Sequence, residues 1–364
     1  AVASAEALLG TLGALQPEAV KAPEKQPVDP GVRLTALGRH LAALPCDARV
    51  GRLVVLGAFL GCASAACSVA AWLSVRSPLA RPWGQGQEAK REAFRRKALK
   101  GQGGGKSDHC FWVALMEAYL AAGSRRGFCQ ELALSFERMT EAESLRAQLL
   151  RGLRSLGFAE LEAEANAGDW RVVRAAVVAG LYPFVAQVER PPPKYTEGLA
   201  GAMQVENEAR ELRYFVRPEE GAEPTGSSGR QQRLRAFLHP SSLLFKESTY
   251  SCPYVVFSER MVQQQPGNSQ YPTRLSLTGC SEASVYALLL FGGSLMVDTQ
   301  RSQVSVDGWI RFRGGSTTVV AMLQRLREAI DALLLRKVED PRARIVDDAV
   351  ARCVVTLLTT DGLG

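Results

Sequence analysis

Residues 53–75 contain no charged side chain, and Arg52 and Arg76 stand at the two edges. By hydropathy alone such a stretch is a membrane span. Its punctuation predicts something else. Asp47 can cap a helix through VGRLVVLGAFL, Gly61-Cys62-Ala63-Ser64 breaks it, and a second helix, ACSVAAWLSV, runs to Ser77-Pro78. Two helices of about ten residues each are too short for a bilayer, which needs about 20 continuous apolar residues. The stretch is also built from Ala, Gly, Ser and Cys rather than from Leu and Ile. It therefore predicts two short buried helices of a soluble helical domain. A shorter helix, 35–44, precedes them and stops at Pro45, because proline cannot continue the hydrogen-bond ladder and disfavours helix in the residue before it.

The flanks extend this helical pattern. Residues 4–16 read as an amphipathic helix with Ser4 as N-cap and Gly13 near its end. Residues 17–31, with four prolines, read as a loop. The basic run EAKREAFRRKALK (88–100) reads as a helix, either with a solvated face or in contact with phosphates. GQGGGKS (101–107) imitates a phosphate-binding loop, but the glycine expected at position 100 is Lys100, and a basic helix precedes it where a hydrophobic strand is required. It is read as a flexible glycine loop. Ser107 or Asp108 can cap the next helix, which buries Phe111, Trp112, Leu115, Met116 and Tyr119. His109, in its first turn, is assigned a structural role. With two further helices, residues 46–158 read as one all-helical bundle.

After about residue 165 the pattern changes. DWRVVRAAVVAGLYP is one more helix. The runs PFVAQVER, ELRYFVRP, RLRAFLHP, CPYVVFSERMV, RLSLTGC, SVYALLLFG, SLMVDTQ and WIRFRG then predict short strands, separated by loops rich in Pro, Gly and Ser. Strands of this spacing suggest a small barrel or sandwich. A long amphipathic helix, STTVVAMLQRLREAIDALLLRK, follows, and residues 345–360 are a terminal helix or tail.

The 364 residues fit two or three domains. A net charge of +7 favours a polyanionic partner. The eight cysteines include no Cys-x-x-Cys pair and there are three histidines, so no structural zinc is expected and the thiols read as reduced, in an intracellular compartment. AVASAEALLG has neither an initiating Met nor a basic leader, and reads as the start of a fragment of a longer protein rather than a signal peptide.

Several motifs point to a family. LTALGRHLAALPCDARVGRLVVLGAFLGC (34–62) and WLSVRSPLARPW (72–83) resemble the junction between the winged-helix and ratchet domains of DEAH/RHA-type RNA helicases. SDHCFWVALMEAY (107–119), with Phe128-Cys129, resembles the rest of that ratchet domain. VRAAVVAGLYPFVAQV (173–188), FLHPSSLLF (237–245), PYVVFSE (253–259) and YALLLFGG (286–293) resemble the family's OB-fold, and WIRFRG (309–314) its ending. The HPSS and LLLFGG region is most similar to the larger RHA-like members. The resemblance implies a multidomain α+β fold: the end of a winged-helix domain at 1–38, an all-helical ratchet bundle at 39–165, an OB-fold β-barrel with a C-terminal helix at 166–338, and a helical tail at 339–364.

The resemblance also implies a function: an RNA-binding accessory region of an ATP-dependent RNA helicase, forming part of a channel for single-stranded or structured RNA. Its partners would be that RNA, the RecA-like domains of the same protein and an activator of the G-patch type, with no membrane. ATP and Mg2+ would serve the parent enzyme, which would move 3′ to 5′; this sequence holds no P-loop and no Asp-Glu-Ala-His box, so no catalytic residue, metal site or cofactor is assigned to it. Localisation would be cytoplasmic, nuclear or organellar. Candidate RNA contacts in the matching barrel segments are His239, Ser241, Ser242, Lys246 and Arg274, with Tyr271 as a base-stacking ring. Each has a plainer reading: His239-Pro240-Ser241-Ser242 shapes a turn, and Tyr271 packs. Phe184 stands where family members often carry Asn, which puts any contact through that amide in question. A protein-docking platform without RNA is the alternative from another class, and a membrane anchor at 53–75 a third.

Overall fold

A computed structural model describes residues 2–16, 34–80, 85–100, 104–158, 160–192, 194–198, 201–205, 208–217, 233–263, 274–298 and 300–360. The chain divides into two compact units. Ala1–Gly105, Cys110–Leu181 and Ser284–Gly364 make the first; Lys106–His109 and Tyr182–Ala283 make the second.

The first unit begins with helices α1 (Val2–Thr11) and α2 (Ala36–Ala43). The Thr35 hydroxyl accepts from Gly38 N–H and starts α2, and Pro45 follows its extended C-cap, Leu44. Asp47 then accepts from Arg49 N–H (2.9 Å) and opens α3 (Ala48–Phe59), which a turn joins to α4 (Ala63–Ser74). Gly61 makes that turn at φ 75°, a left-handed backbone that glycine adopts without steric cost, so that Cys62 N–H bonds back to Gly57 O (2.8 Å). A Cβ on Gly57 would lie 2.2 Å from that of Ala66; its absence lets α3 and α4 approach backbone to backbone. Leu53, Val54, Val55, Cys62, Cys67, Val69, Ala70 and Ala71 are sealed from solvent as a result. The apolar stretch is thus a buried helical hairpin, and among the described residues no helix is long and apolar enough to cross a membrane.

Further helices of this unit follow the hairpin, of which Phe136–Ser155 and Trp170–Leu181 pack directly against it. They are α5 (Gln85–Ala98), α6 (Asp108–Ala121), α7 (Arg125–Glu131), α8 (Phe136–Ser155), α9 (Glu160–Ala163) and α10 (Trp170–Leu181). The basic helix α5 is anchored by its own charge. Arg91 donates to the carbonyls of Leu132, Ala80 and Ala133, while Phe94 packs on Phe111 and Phe128. Lys90 faces Glu131, and Glu92 faces Arg95 and Arg96. These pairings answer much of its charge within the protein.

The second unit carries β1 (Val185–Glu189), the hairpin β2 (Lys194–Gly198) and β3 (Gly201–Val205), then β4 (Arg213–Val216), β5 (Leu234–Leu238), β6 (Tyr254–Gln263) and β7 (Arg274–Glu282). Five of these strands close a barrel in the order β1-β4-β5-β7-β6, with β6 returning to β1. Only β5 and β7 run parallel among the described pairs. This is the OB-fold arrangement. Alternation places Ala186, Val188, Tyr214, Val216, Ala236, Leu238, Val255, Phe257, Leu275 and Leu277 inside.

Chain then returns to the first unit. Residues 285–291, expected as a strand, form helix α11 (Val285–Phe291). Ala287–Phe291 are all buried, so the run has no alternation of burial, and Ala and Leu are strong helix formers without the β-branching that strands favour. SLMVDTQ and WIRFRG are strands as expected, but not barrel strands: β8 (Leu295–Asp298), β9 (Gln303–Val306) and β10 (Ile310–Arg313) form a separate sheet. The barrel is already closed by β6, which leaves no edge to extend. The long helix α12 (Thr317–Glu339) follows, its Arg327 donating to Leu289 O and Gly292 O at the end of α11. Residues 349–360 resolve as a helix, α13 (Ala349–Thr360).

One buried ion pair fastens these C-terminal helices. Lys337, 2% exposed, donates to Glu162 on α9 (2.7 Å) and to Ala343 O (2.8 Å). Glu162 also accepts from Ile345 and Val346 N–H. Burial alone would raise the Glu162 carboxyl, but the Lys337 ammonium and the two amides outweigh it and hold it below its ordinary value. Glu162→Ala should strand the ammonium and destabilise the first unit by about 3–5 kcal/mol. The described tryptophans, Trp72, Trp112, Trp170 and Trp309, fall in that unit, so a lowered urea midpoint of tryptophan fluorescence measures the loss.

Candidate nucleic-acid interface

The outward positions of the barrel carry a charge and ring pattern that alternation dictates. On β5, Ala236 and Leu238 point inward, so Arg235 and Phe237 point out; on β4, Phe215 lies opposite Arg235. Arg233 lies over the Phe215 ring (4.9 Å to the centroid), and Arg235 lies over both Phe215 (5.6 Å) and Phe237 (5.2 Å). Arg274, at the start of β7, covers Phe237 (4.6 Å). Guanidinium and phenyl groups therefore alternate across the sheet, each cation held over a ring face. Burial lowers the affinity of Arg235 for its proton, and neighbouring Arg213 pushes the same way. The Glu189 carboxylate, which pairs with Arg233 (2.6 Å), acts on Arg235 in the opposite sense, and the guanidinium stays charged.

A groove of about 560 Å³ opens beside this ladder. Arg210, Arg235, Phe237, Phe245, Lys246 and Arg274 line it. Arg210 pairs with Glu208 (2.5 Å), whereas Lys246 and Arg274 make no ion pair among the described residues. Below the rim, Tyr214 and Tyr250 share a hydrogen bond (3.1 Å), and burial holds the Tyr214 phenol up at about 12, so it stays neutral.

Phe245 and Lys246 sit on a 3-10 turn, Leu243–Lys246, that is fastened on every side. The Ser242 hydroxyl accepts from Leu244 N–H (3.2 Å), Asp108 Oδ1 accepts from Leu243 N–H (2.7 Å), and Leu244 is fully buried in the barrel core. Asp108 Oδ2 accepts from Cys280 N–H (2.7 Å), tying the turn to β7. Next to it, His109 is sealed from solvent between Ser281 Oγ (2.6 Å) and Ser258 Oγ (2.8 Å). Ser258 donates onward to Gly279 O, which fits a ring donating from Nε2 and accepting at Nδ1.

Of the six residues singled out in the sequence, the groove brings together Lys246 and Arg274. Ser242 is buried and shapes the turn. Ser241 is exposed, and its N–H and hydroxyl both meet His239 Nδ1 (3.2 and 2.7 Å), so this pair closes its own loop outside the groove lining. Tyr271 lies outside the described residues. Arg235, Phe237 and Phe245 escaped sequence reasoning. The alternation R-L-R-A-F-L in 233–238 was the signal for the first two, and an aromatic beside lysine in a turn for the third. Lys106, in the glycine-rich sequence that imitates a P-loop, donates to Thr249 O (2.7 Å) and lies 5.8 Å over the Tyr250 ring.

Four family models match successive segments. They describe a helicase-associated (HA2) winged-helix domain (5–46), a ratchet-like HA2 domain (47–111), an oligonucleotide/oligosaccharide-binding fold (173–295) and a C-terminal domain in RNA helicases (302–360). Among similar curated proteins, the DExH-box ATP-dependent RNA helicase DExH1 of Arabidopsis thaliana is 29% identical over 96% of this chain and 33% of its own length. The putative ATP-dependent RNA helicase DHX57 of Homo sapiens is 28% identical over 91% of this chain and 24% of its own. The human ATP-dependent DNA/RNA helicase DHX36 is 25% identical over 93% and 31%. The chain spans between a fifth and a third of the length of such relatives.

Burial pushes His109 down to about 3 from an ordinary 6.5. The native ring thus refuses a proton that the unfolded chain accepts below pH 6.5. Its contribution is complete above that pH and is lost as the pH falls toward 3, with a slope of at most about 1.4 kcal/mol per pH unit. Urea titrations followed by circular dichroism should show a steeper loss between pH 7 and pH 4.5 in the native protein than in His109→Gln.

Proposed function

The chain carries the winged-helix, ratchet, OB-fold and C-terminal domains of DEAH-box helicases, and from that premise we propose that it binds single-stranded RNA through the barrel groove as the accessory region of a longer RNA helicase. The observation that carries this reading is Lys246 and Arg274, neither in an ion pair among the described residues, set with the Arg235–Phe237 ladder and an exposed ring around one groove. Single strands require that combination: cations to neutralise phosphates and rings for unstacked bases. Arg233 is answered by Glu189 (2.6 Å), which leaves Arg235 and Arg274, both over Phe237, on the groove lining. Their aromatic backing holds the guanidinium groups in place before a ligand arrives, which lowers the ordering cost of binding.

In this proposal, ATP hydrolysis with Mg2+ belongs to RecA-like domains of the longer protein, which would drive the strand past this surface. A channel role would make the groove one wall of the path, and an activator of the G-patch type would be a further partner. The sequence +7 charge is in keeping with a polyanionic ligand.

The purified chain should bind a single-stranded oligoribonucleotide at low salt and not a neutral polymer of similar length. Lys246→Ala and Arg274→Ala should each weaken binding roughly tenfold, the scale of one charge-assisted contact. Each should also flatten the logarithmic salt dependence by about 0.7. Wild-type binding no better than the neutral control, or variants that bind as the native chain does, would overturn the assignment.

A further inference from the structure

Three phenylalanines mark this face of the barrel, and they are not equivalent. Phe215 is covered by Arg233 and Arg235, and Phe237 by Arg235 and Arg274. Phe245 has no ring or cation against it among the described residues, and it is 43% exposed. Leaving a phenyl ring that open gives up part of the stabilisation that its full burial would provide. Exposure here is not the result of a loose segment. The turn that carries the ring is bolted by Ser242, by Asp108 and by the buried Leu244, and Tyr250 Oη donates to Leu244 O (3.4 Å). A rigid backbone thus presents an open ring to the groove, with Lys246 next to it in sequence and Arg274 on the same lining.

Resting on the reading of the groove as a single-strand site, we infer that Phe245 is its base-stacking platform, and that Phe215 and Phe237 serve as backing for the guanidinium groups and take no base. A base laid on Phe245 would place the adjoining phosphates toward Lys246 and Arg274. The ladder would grip backbone alone. The groove therefore combines one base contact, which favours the larger π-faces of purines, with a row of cations indifferent to sequence.

Fluorescence anisotropy with three labelled probes of equal length separates these roles: oligoadenylate, oligouridylate and a base-free ribose-phosphate strand. The full native chain should bind oligoadenylate tightest and the base-free strand weakest. Phe245→Ala should lose about tenfold on oligoadenylate, the scale of one lost base stack, and nothing on the base-free strand. Phe245→Trp should keep the native order of affinities. Phe237→Leu, which removes the backing, should weaken all three probes alike. The inference is overturned if Phe245→Ala binds oligoadenylate as the native chain does, or if it weakens oligoadenylate and the base-free strand equally. Those outcomes leave the single-strand reading standing provided Lys246→Ala and Arg274→Ala still lose affinity. Failure of the native chain to bind any of the probes overturns both.

Discussion

The close approach of α3 and α4 is the constraint on which the first unit depends. Gly57 removes the side chain that would collide with Ala66, and Gly61 supplies the left-handed turn that brings the two helices together. An uncharged stretch of this kind has to be hidden. Folding it back on itself hides one face of each helix, and α8 and α10 cover the rest. The C-terminal helices then complete the same unit, with Lys337 and Glu162 joining α12 and the segment after it to α9. That pair is largely sealed from water, so removing either partner leaves a buried charge without its answer.

The barrel solves a different problem. Closure through β6 leaves no strand edge, and the alternation that fills its interior also determines what faces out. Once Ala236 and Leu238 are inside, Arg235 and Phe237 must be outside, and the register with β4 sets Phe215 against Arg235. The cation and ring ladder is thus a by-product of packing geometry and residue choice together. The turn that carries Phe245 and Lys246 is held by a buried carboxylate, Asp108, whose two oxygens satisfy amides of Leu243 and Cys280. Support of this type holds the backbone that carries the exposed ring and Lys246 in one position.

Much of this is legible in the sequence. Asp47 as a cap, the stop at Pro45 and the break at Gly61 follow from local chemistry that tertiary contacts did not overturn. The barrel strands around ELRYFV and RLRAFL show their two-residue period plainly. Residues 285–291 did not, because a run buried on all sides carries no period, and only composition separates helix from strand there. Nor could β8, β9 and β10 be told from barrel strands, since a strand's own sequence does not name its partner. Ser242, singled out as a candidate RNA contact, is buried, and its hydroxyl accepts from Leu244 N–H, a placement that depends on contacts beyond its own segment.

The order of helices and strands, the caps and breaks between them and the excess of positive charge were determined by the sequence itself, because each rests on interactions spanning a few residues. Which cations remain unpaired and which rings remain open was decided only by tertiary structure. Arg91 and Lys106 are as basic as Lys246, yet one donates to three carbonyls and the other to Thr249, whereas Lys246 makes no ion pair among the described residues. A charge becomes available to a ligand only when no partner elsewhere in the chain reaches it, and the contacts that decide this join residues far apart in sequence.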